Sequence, residues 1–216
     1  LIGLLSPISA HAASTPATLT ESFTSSDLNN PANWLSSAIG DQTFPHPCLT
    51  ALAMTANPVP LSGGTNLSGC GRQPDANGSG ALILTHAQAQ EATTMLYNVA
   101  LPTSAGIDIA FYNAQYGGSG ADGLSFFVKN GADSDTTPGA TGGGLGYKGI
   151  HAGLFGIGFD KFGNWMNSTG SMDSACPNPV VTPYAISVRG PDTSSAKDGS
   201  SGFCLLGGGA AGATYF

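Results

Sequence analysis

The second half of the chain consists of short apolar runs separated by turns rich in glycine. Apolar residues alternate with polar or small ones in "GIDIAFYNAQY" (106–116) and again in "YAISVRG" (184–190). A period of two is typical of a half-buried strand. The runs "LSFFVK" (124–129) and "LFGIGFD" (154–160) are almost wholly apolar and flanked by glycine. We therefore predict a strand in each of these four segments.

Weaker strand signals occur elsewhere in the chain. They are "ESF" (21–23), "ALILT" (81–85), "MLYNVAL" (95–101) and "GFCLLGG" (202–208). Most of 14–80 is rich in turn-forming residues, and no segment shows the apolar spacing of a long helix. Many short strands joined by turns predict an all-β sandwich.

Composition supports this prediction. Charged residues make up 9% of the 216-residue chain, which also contains 32 glycines and 14 prolines. Such a chain disfavours helices and suits tight turns. Its hydrophobic fraction of 41% still supplies a core. The length fits one large β domain, and we find neither an internal repeat nor a long linker.

The charge balance excludes some partners. The formal net charge is −7, and the chain contains only six lysines and arginines. Binding to nucleic acid or to an anionic membrane surface needs clustered cations, so neither is expected. No stretch approaches the ~20 apolar residues of a membrane span.

The N-terminal residues have the features of a secretory signal peptide. Residues 1–5 are apolar, and "AHA" at 10–12 fits the small-x-small rule for a secretory cleavage site. We interpret 1–13 as the remnant of a signal peptide and 14–216 as the mature domain of a secreted or cell-surface protein; the alternative is a buried first strand. The chain stops at "GGGAAGATYF" without a closing strand, so we expect the C-terminal edge of the domain to lie beyond it.

The four cysteines lack the C-x-x-C spacing of zinc and redox motifs. In an exported protein they predict two disulfides, for which three pairings exist on paper. We favour the pairing that closes local loops, Cys48 with Cys70 and Cys176 with Cys204. Each bridge would contribute roughly 2–4 kcal/mol of stability.

Signals for catalysis are weak. The chain contains only two glutamates, Glu21 and Glu91, and no strand places two acids close together on one face. A G-x-S-x-G elbow is absent, and the histidines form no pair at ligand spacing. "GLGYKG" (144–149) matches G-x-G-x-x-G but is not followed by a helix. We do not expect an enzyme.

Oxygen donors follow the predicted strand 154–160. In "FGIGFDKFGNW", Asp160, Phe162 and Asn164 are spaced by two. In a loop, this spacing can direct a carboxylate, a main-chain carbonyl and an amide oxygen to one point. Ca²⁺ is a hard cation that binds six to eight such oxygens. The alternative is an Asx-turn that ends the strand.

Three segments in this order resemble a known family. "GGSGADGLSFFVKNG", "PGATGGGLGYKG" and "FGIGFDKFGNW" are similar to the legume-type (L-type) lectin family, especially its bacterial secreted members. The resemblance is specific from 112 to 164 and looser from 21 to 190. It implies a concanavalin A-like jelly-roll sandwich of two antiparallel sheets that binds sugars with calcium support.

The resemblance also implies residue roles at the sugar. Asp122 matches the carboxylate that accepts hydrogen bonds from sugar hydroxyls, and the family has a cis peptide before it, here Ala121–Asp122. Gly144 matches the glycine whose N–H meets the sugar, and Gly143 shapes the same loop. The amide of Asn164 also reaches the sugar. An aromatic face at Phe162 or Trp165 would stack on the sugar ring.

For calcium, the resemblance implies Asp160, Asn164 and the Phe162 carbonyl as ligands. One carboxylate of the family's set is missing, and Asp173 is the candidate to replace it.

The chain departs from the family at a neighbouring transition-metal site. Gly158 stands where plant members have a glutamate, Thr169 where they have an aspartate, and Ser174 near an expected histidine. We therefore expect calcium as the cofactor and no transition metal.

Together these features predict a secreted lectin or adhesin domain that binds glycans, and other domains of a longer parent chain are candidate partners. The alternative is a structural or interaction β-sandwich that has lost its sugar site.

Overall fold

The computed structural model describes residues 18–40, 47–86, 89–103, 106–118, 121–167, 176, 180–193 and 202–213. The predicted leader, 1–13, and the candidate ligand Asp173 lie outside the described residues. Within them the chain forms strands and three short 3₁₀ turns, so the all-β prediction is confirmed. In these ranges no helix is long and apolar enough to cross a membrane.

Ten strands occur in the described residues. They are β1 (Trp34–Ile39), β2 (Cys48–Ala53), β3 (Val59–Pro60), β4 (Asn66–Gly71), β5 (Leu82–Ile83), β6 (Ala92–Tyr97), β7 (Gly123–Lys129), β8 (Gly153–Asp160), β9 (Ala185–Arg189) and β10 (Leu205–Ala210). They form a β1–β6 ribbon and two four-stranded sheets, ordered β3-β4-β2-β5 and β10-β9-β8-β7. All pairs are antiparallel except β2–β4, which is parallel. The prediction of antiparallel pairing throughout was therefore wrong for this pair.

The β10-β9-β8-β7 sheet positions the candidate site. Gly123, the first residue of β7, pairs with Asp160, the last residue of β8. The segment that enters β7 and the loop that leaves β8 therefore meet at one end of the sheet. Asp160 also pairs with Ala185 at the start of β9, which places a third segment there.

Two hydrophobic clusters stabilise the described chain. The first contains Leu28, Trp34, Leu49, Leu52, Val59, Leu61 and Leu67; the second contains Leu145, Tyr147, Ile150, Trp165 and Phe203. The predicted disulfides are both confirmed, with Cα–Cα distances of 5.1 Å for Cys48–Cys70 and 5.1 Å for Cys176–Cys204. Each bridge includes a residue next to a member of one cluster.

The predicted strand in 106–116 was wrong. Its described residues form no ladder, and Ile107, Ile109 and Phe111 remain 43–45% exposed. Phe111 instead stacks on Phe126 of β7, with ring centroids 5.7 Å apart. The alternation therefore reflects side-chain packing on a sheet face, without main-chain pairing.

Four strands occur where the sequence suggested turns, and "ESF" (21–23) forms none. In β4, Gly69 lies so close to β2 that a Cβ would be 2.2 Å from the Leu52 carbonyl oxygen. Glycine here permits close approach of two backbones, which sequence reasoning took for a turn signal.

Candidate ligand-binding site

Asp122 precedes β7 and is linked to the loop after β8. The Ala121–Asp122 peptide is cis, as the resemblance implies. The Asp122 carbonyl oxygen accepts hydrogen bonds from the N–H groups of Lys161 (3.0 Å) and Phe162 (3.2 Å). These bonds hold the Asp122 carboxylate, which is partly exposed, beside the loop 160–167.

A glycine turn, Gly142–Gly144, contributes the second wall of the site. A Cβ at Gly143 would lie 2.6 Å from the side-chain amide of Asn164. A Cβ at Gly142 would lie 3.7 Å from Oδ2 of Asp122. The turn thus contacts both polar side chains, and glycine leaves room for them.

Asn164 joins these parts. Its side-chain amide hydrogen-bonds to Asp122, which lowers the pKa of that carboxyl, while burial has the larger effect and raises it. The Asn164 Oδ1 atom is buried and has no hydrogen-bond partner among the residues that the structure describes. A buried acceptor left unpaired costs about 1–3 kcal/mol, so this oxygen is a position where a cation would be stabilising.

Asp160 is fully buried beside this group. Its carboxylate accepts hydrogen bonds from the N–H groups of Gly163 (2.7 Å) and Trp165. Burial raises the pKa of Asp160, these hydrogen bonds oppose the increase, and the nearby charge of Asp122 adds to it. The charge of Asp122 near the buried Asp160 carboxylate is a repulsion that a cation at this end of the sheet would relieve.

Two aromatic side chains support the loops from below. Tyr147 follows the glycine turn and Trp165 lies in the loop 160–167, and both are fully buried. A Cβ at Gly156 would be 2.7 Å from the Tyr147 ring, and one at Gly158 would be 2.6 Å from the Trp165 ring. The glycines of β8 therefore leave a flat surface on which both rings pack.

Arg189, the last residue of β9, fastens the same loop. Its guanidinium donates hydrogen bonds to the carbonyl oxygens of Trp165 (2.8 Å from Nε) and Asn167 (3.0 Å). It also lies 4.8 Å from the centroid of the Trp165 ring and is 2% exposed. Burial lowers the pKa of Arg189 to about 10, and the charge of Asp160 opposes that decrease.

The structure brings Asp122, Gly143 and Asn164 together, with Asp160 directly behind them. Gly144 lies deeper: it is buried, and its N–H donates to the Thr141 carbonyl oxygen (3.3 Å).

The two aromatic candidates differ in access. The Phe162 side chain is 49% exposed, whereas Trp165 is fully buried, so Phe162 alone presents a face to solvent. Trp165 therefore supports the loop and does not form the rim of the site.

The donor set suits calcium by residue type. Asp160 offers a carboxylate, Phe162 a main-chain carbonyl, and Asn164 an amide oxygen that no described residue pairs with, all oxygen donors of the kind Ca²⁺ selects. The described ranges hold no group of three or more His, Cys, Asp or Glu residues that could bind a metal ion. A site here therefore relies on amide and carbonyl oxygens, and Asp173 lies outside the described residues.

Sequence reasoning missed Arg189, Tyr147 and Gly142. A signal for the first was present, because alternation in β9 places Arg189 on the same face as the buried residues Ala185 and Ser187. A cation on a buried face is uncommon and usually needs a specific set of acceptors.

Comparisons with protein-family models, with curated proteins and with solved structures each found no match to this chain. The resemblance to lectins therefore remains an expectation from the residue pattern.

Proposed function

We propose that the chain is a secreted or surface-exposed carbohydrate-binding domain with one sugar site, formed by Asp122, Gly143, Phe162 and Asn164. The observation that supports this most strongly is the meeting of three segments far apart in sequence. The Asp122 loop, the glycine turn and the loop after β8 contact one another around Asn164.

The groups around this point are those that a neutral sugar needs. The Asp122 carboxylate accepts hydrogen bonds from hydroxyls, and an amide N–H of Asn164 donates one. Gly143 leaves room for the Asn164 amide, because any side chain there would collide with it. The half-exposed Phe162 ring offers a face for the apolar side of a pyranose.

Calcium is the cofactor that this site would take. Asp160, the Phe162 carbonyl and Asn164 Oδ1 would hold it, and Asp173 is the candidate for a further carboxylate. Bound calcium would further restrict the Asn164 amide, which the protein's own contacts to the loop 160–167 already hold. Preorganisation of this kind lowers the cost of ordering on binding.

The runner-up function is a structural or interaction β-sandwich. It is favoured by one observation: both oxygens of the Asp160 carboxylate accept main-chain N–H bonds within their own loop. In this alternative, the Asp160 side chain only shapes the turn, as in an Asx-turn, and binds no ligand.

A glycan array probed with the wild-type protein and with Asp122→Ala separates these functions. We expect wild type to bind a subset of neutral glycans and Asp122→Ala to lose binding, because the variant lacks the hydroxyl acceptor. Asp75→Ala, at an exposed position outside the strands, is the matched control and should bind as wild type does. Calcium is measured separately by calorimetry.

A folded wild-type protein that binds no glycan would favour the interaction sandwich. Turnover of an oligosaccharide would instead reveal an enzyme. Retained binding in Asp122→Ala would show that the sugar site lies elsewhere.

A further inference from the structure

The loop 160–167 is fastened by the protein's own contacts at several points. Besides the bonds to Asp160 and Asp122, the Gly163 carbonyl oxygen accepts the N–H of Thr182 at 2.9 Å. A Cβ at Gly163 would be 2.3 Å from the backbone of the 182–183 segment, so the loop lies directly against it. The outer half of the loop is thus held from both sides.

The inner half of the loop depends on Arg189. The guanidinium bonds to the carbonyl oxygens of Trp165 and Asn167 while it lies over the Trp165 ring. Fork-shaped donation of this kind fixes the positions of two peptide groups, which a single ammonium cannot do equally well. Because Asn164 directly precedes Trp165, this clamp also limits where the Asn164 amide can point.

Arg189 also places a buried positive charge near the Asp160 carboxylate. Its guanidinium interacts electrostatically with Asp160, and Asp160 in turn interacts with Asp122. A bound cation in such a site would ordinarily do two things, which are to fix the loop and to offset its negative charge. Arg189 fixes part of the loop by hydrogen bonds, and its charge partly offsets that of Asp160.

We propose that Arg189 is a positioning residue that preforms the loop 160–167 without metal, so that ligand binding by the site largely survives removal of calcium. The second clause rests on the proposed sugar-binding function. The first concerns the chain alone and is tested separately.

Hydrogen exchange of 160–167, followed by mass spectrometry in chelator and in Ca²⁺, tests the first clause. In wild type we expect this segment to stay protected in chelator. In Arg189→Met we expect exchange about tenfold faster or more in chelator, with protection recovered in Ca²⁺. Arg72→Met, which removes an exposed arginine, should behave as wild type does.

Arg189→Lys separates positioning from simple core stability. It keeps the charge and loses the fork, so protection in chelator should fall between those of wild type and Arg189→Met. Exchange of β2 and β4, which belong to the other four-stranded sheet, reports whether each variant is folded. If Arg189→Met does not fold, Arg189→Lys provides the test, and calcium-dependent protection of 160–167 is the expected result.

Two results would overturn the inference. One is a wild-type loop that exchanges freely in chelator; the other is a folded Arg189→Met loop as protected as wild type.

Sugar affinity tests the second clause. We expect wild type to lose less than about tenfold in affinity in chelator and Arg189→Met to lose more. A wild-type protein that loses all binding in chelator contradicts this clause. A protein that binds no glycan under either condition, yet shows the expected exchange pattern, refutes the proposed function and leaves the positioning role intact.

Discussion

Gly143 shows how one missing side chain decides what the site can do. The space that its Cβ would fill is occupied by the Asn164 amide, which in turn hydrogen-bonds to Asp122. Glycine is therefore required here by a close approach of two loops, and the φ angle plays no part. On the proposed function, this contact positions the amide that would donate to a sugar hydroxyl.

Gly143→Ala should displace Asn164 and weaken sugar binding. The added methyl group would overlap the amide at 2.6 Å, and relief of such overlap costs about 1–3 kcal/mol. We expect affinity to fall roughly tenfold or more by titration calorimetry. Gly209→Ala, on open surface of β10, should change nothing. Unchanged affinity in Gly143→Ala would show that Asn164 does not contact the ligand.

The sequence identified the site residues that carry recognisable chemistry and missed those that act through packing. Asp122, Asp160 and Asn164 lie in a recognisable pattern, and their proximity could be anticipated from it. Arg189 and Tyr147 occur in ordinary strand and loop contexts. Their roles depend on which loops pack above β8, and one sequence does not specify that.

Among the elements, the long connection from β7 to β8 is closed at its base by a charged cluster. Asp133 accepts a hydrogen bond from Lys129 at 2.9 Å and contacts His151 through its other oxygen. Lys129 also donates to the Asp135 carbonyl oxygen. The cluster ties the first and last residues of the connection together, and the glycine turn of the site lies between them.

Asp133→Asn should loosen this connection. Burial alone would raise the pKa of Asp133, but hydrogen bonds, chiefly from Lys129, outweigh it and lower the pKa from 3.8 to about 2. A lowered pKa stabilises the fold fully above pH 3.8, and that contribution is lost as pH falls through about 2.

We therefore expect urea unfolding at pH 7 to show Asp133→Asn less stable than wild type by about 1–2 kcal/mol. The difference should shrink towards zero as the pH approaches about 2. Asp75→Asn, at an exposed position outside the strands, should show no such difference at either pH. A gap that persists at low pH would assign the effect of Asp133 to packing.

Element types were easier to predict than strand pairing. β7, β8 and β9 coincide with the predicted apolar runs within a residue or two. The prediction for the alternating segment 106–116 failed because alternation by itself shows neither that one face is buried nor that the main chain has a pairing partner. Here the apolar positions stay exposed and the main chain forms no ladder. The sequence predicted no strands at β2 and β4, because glycine was taken as a turn signal. In the structure, Gly69 of β4 instead allows the two strand backbones to lie close together.

At the scale of the whole molecule, the described chain combines two clusters, each with its own disulfide. Cys48–Cys70 joins β2 to β4, next to the cluster that contains Leu49. Cys204 follows Phe203, which packs edge-on against Tyr147 with ring centroids 5.2 Å apart. The first bridge is thus remote from the candidate site in these contacts, and the second adjoins the supporting aromatic residues.

Removing the bridges separately should give different results. Their sequence separations of 22 and 28 predict a loss of about 3–4 kcal/mol each. In thermal unfolding, we expect both double Cys→Ala variants to melt earlier than wild type. Sugar affinity should be unchanged without Cys48–Cys70 and reduced without Cys176–Cys204. Equal effects on affinity would show that the two clusters act as one unit.

Tyr147 and Trp165 pack over the glycine positions of β8, and this arrangement has a practical consequence. The side chains that secure the two loops point inward, whereas Phe162 and the partly exposed Thr141 point outward. Selectivity could therefore be redesigned by randomising the outward positions alone, with the inward ones kept as a constant framework. We expect most members of a display library built this way to fold, because the buried supporting residues stay unchanged.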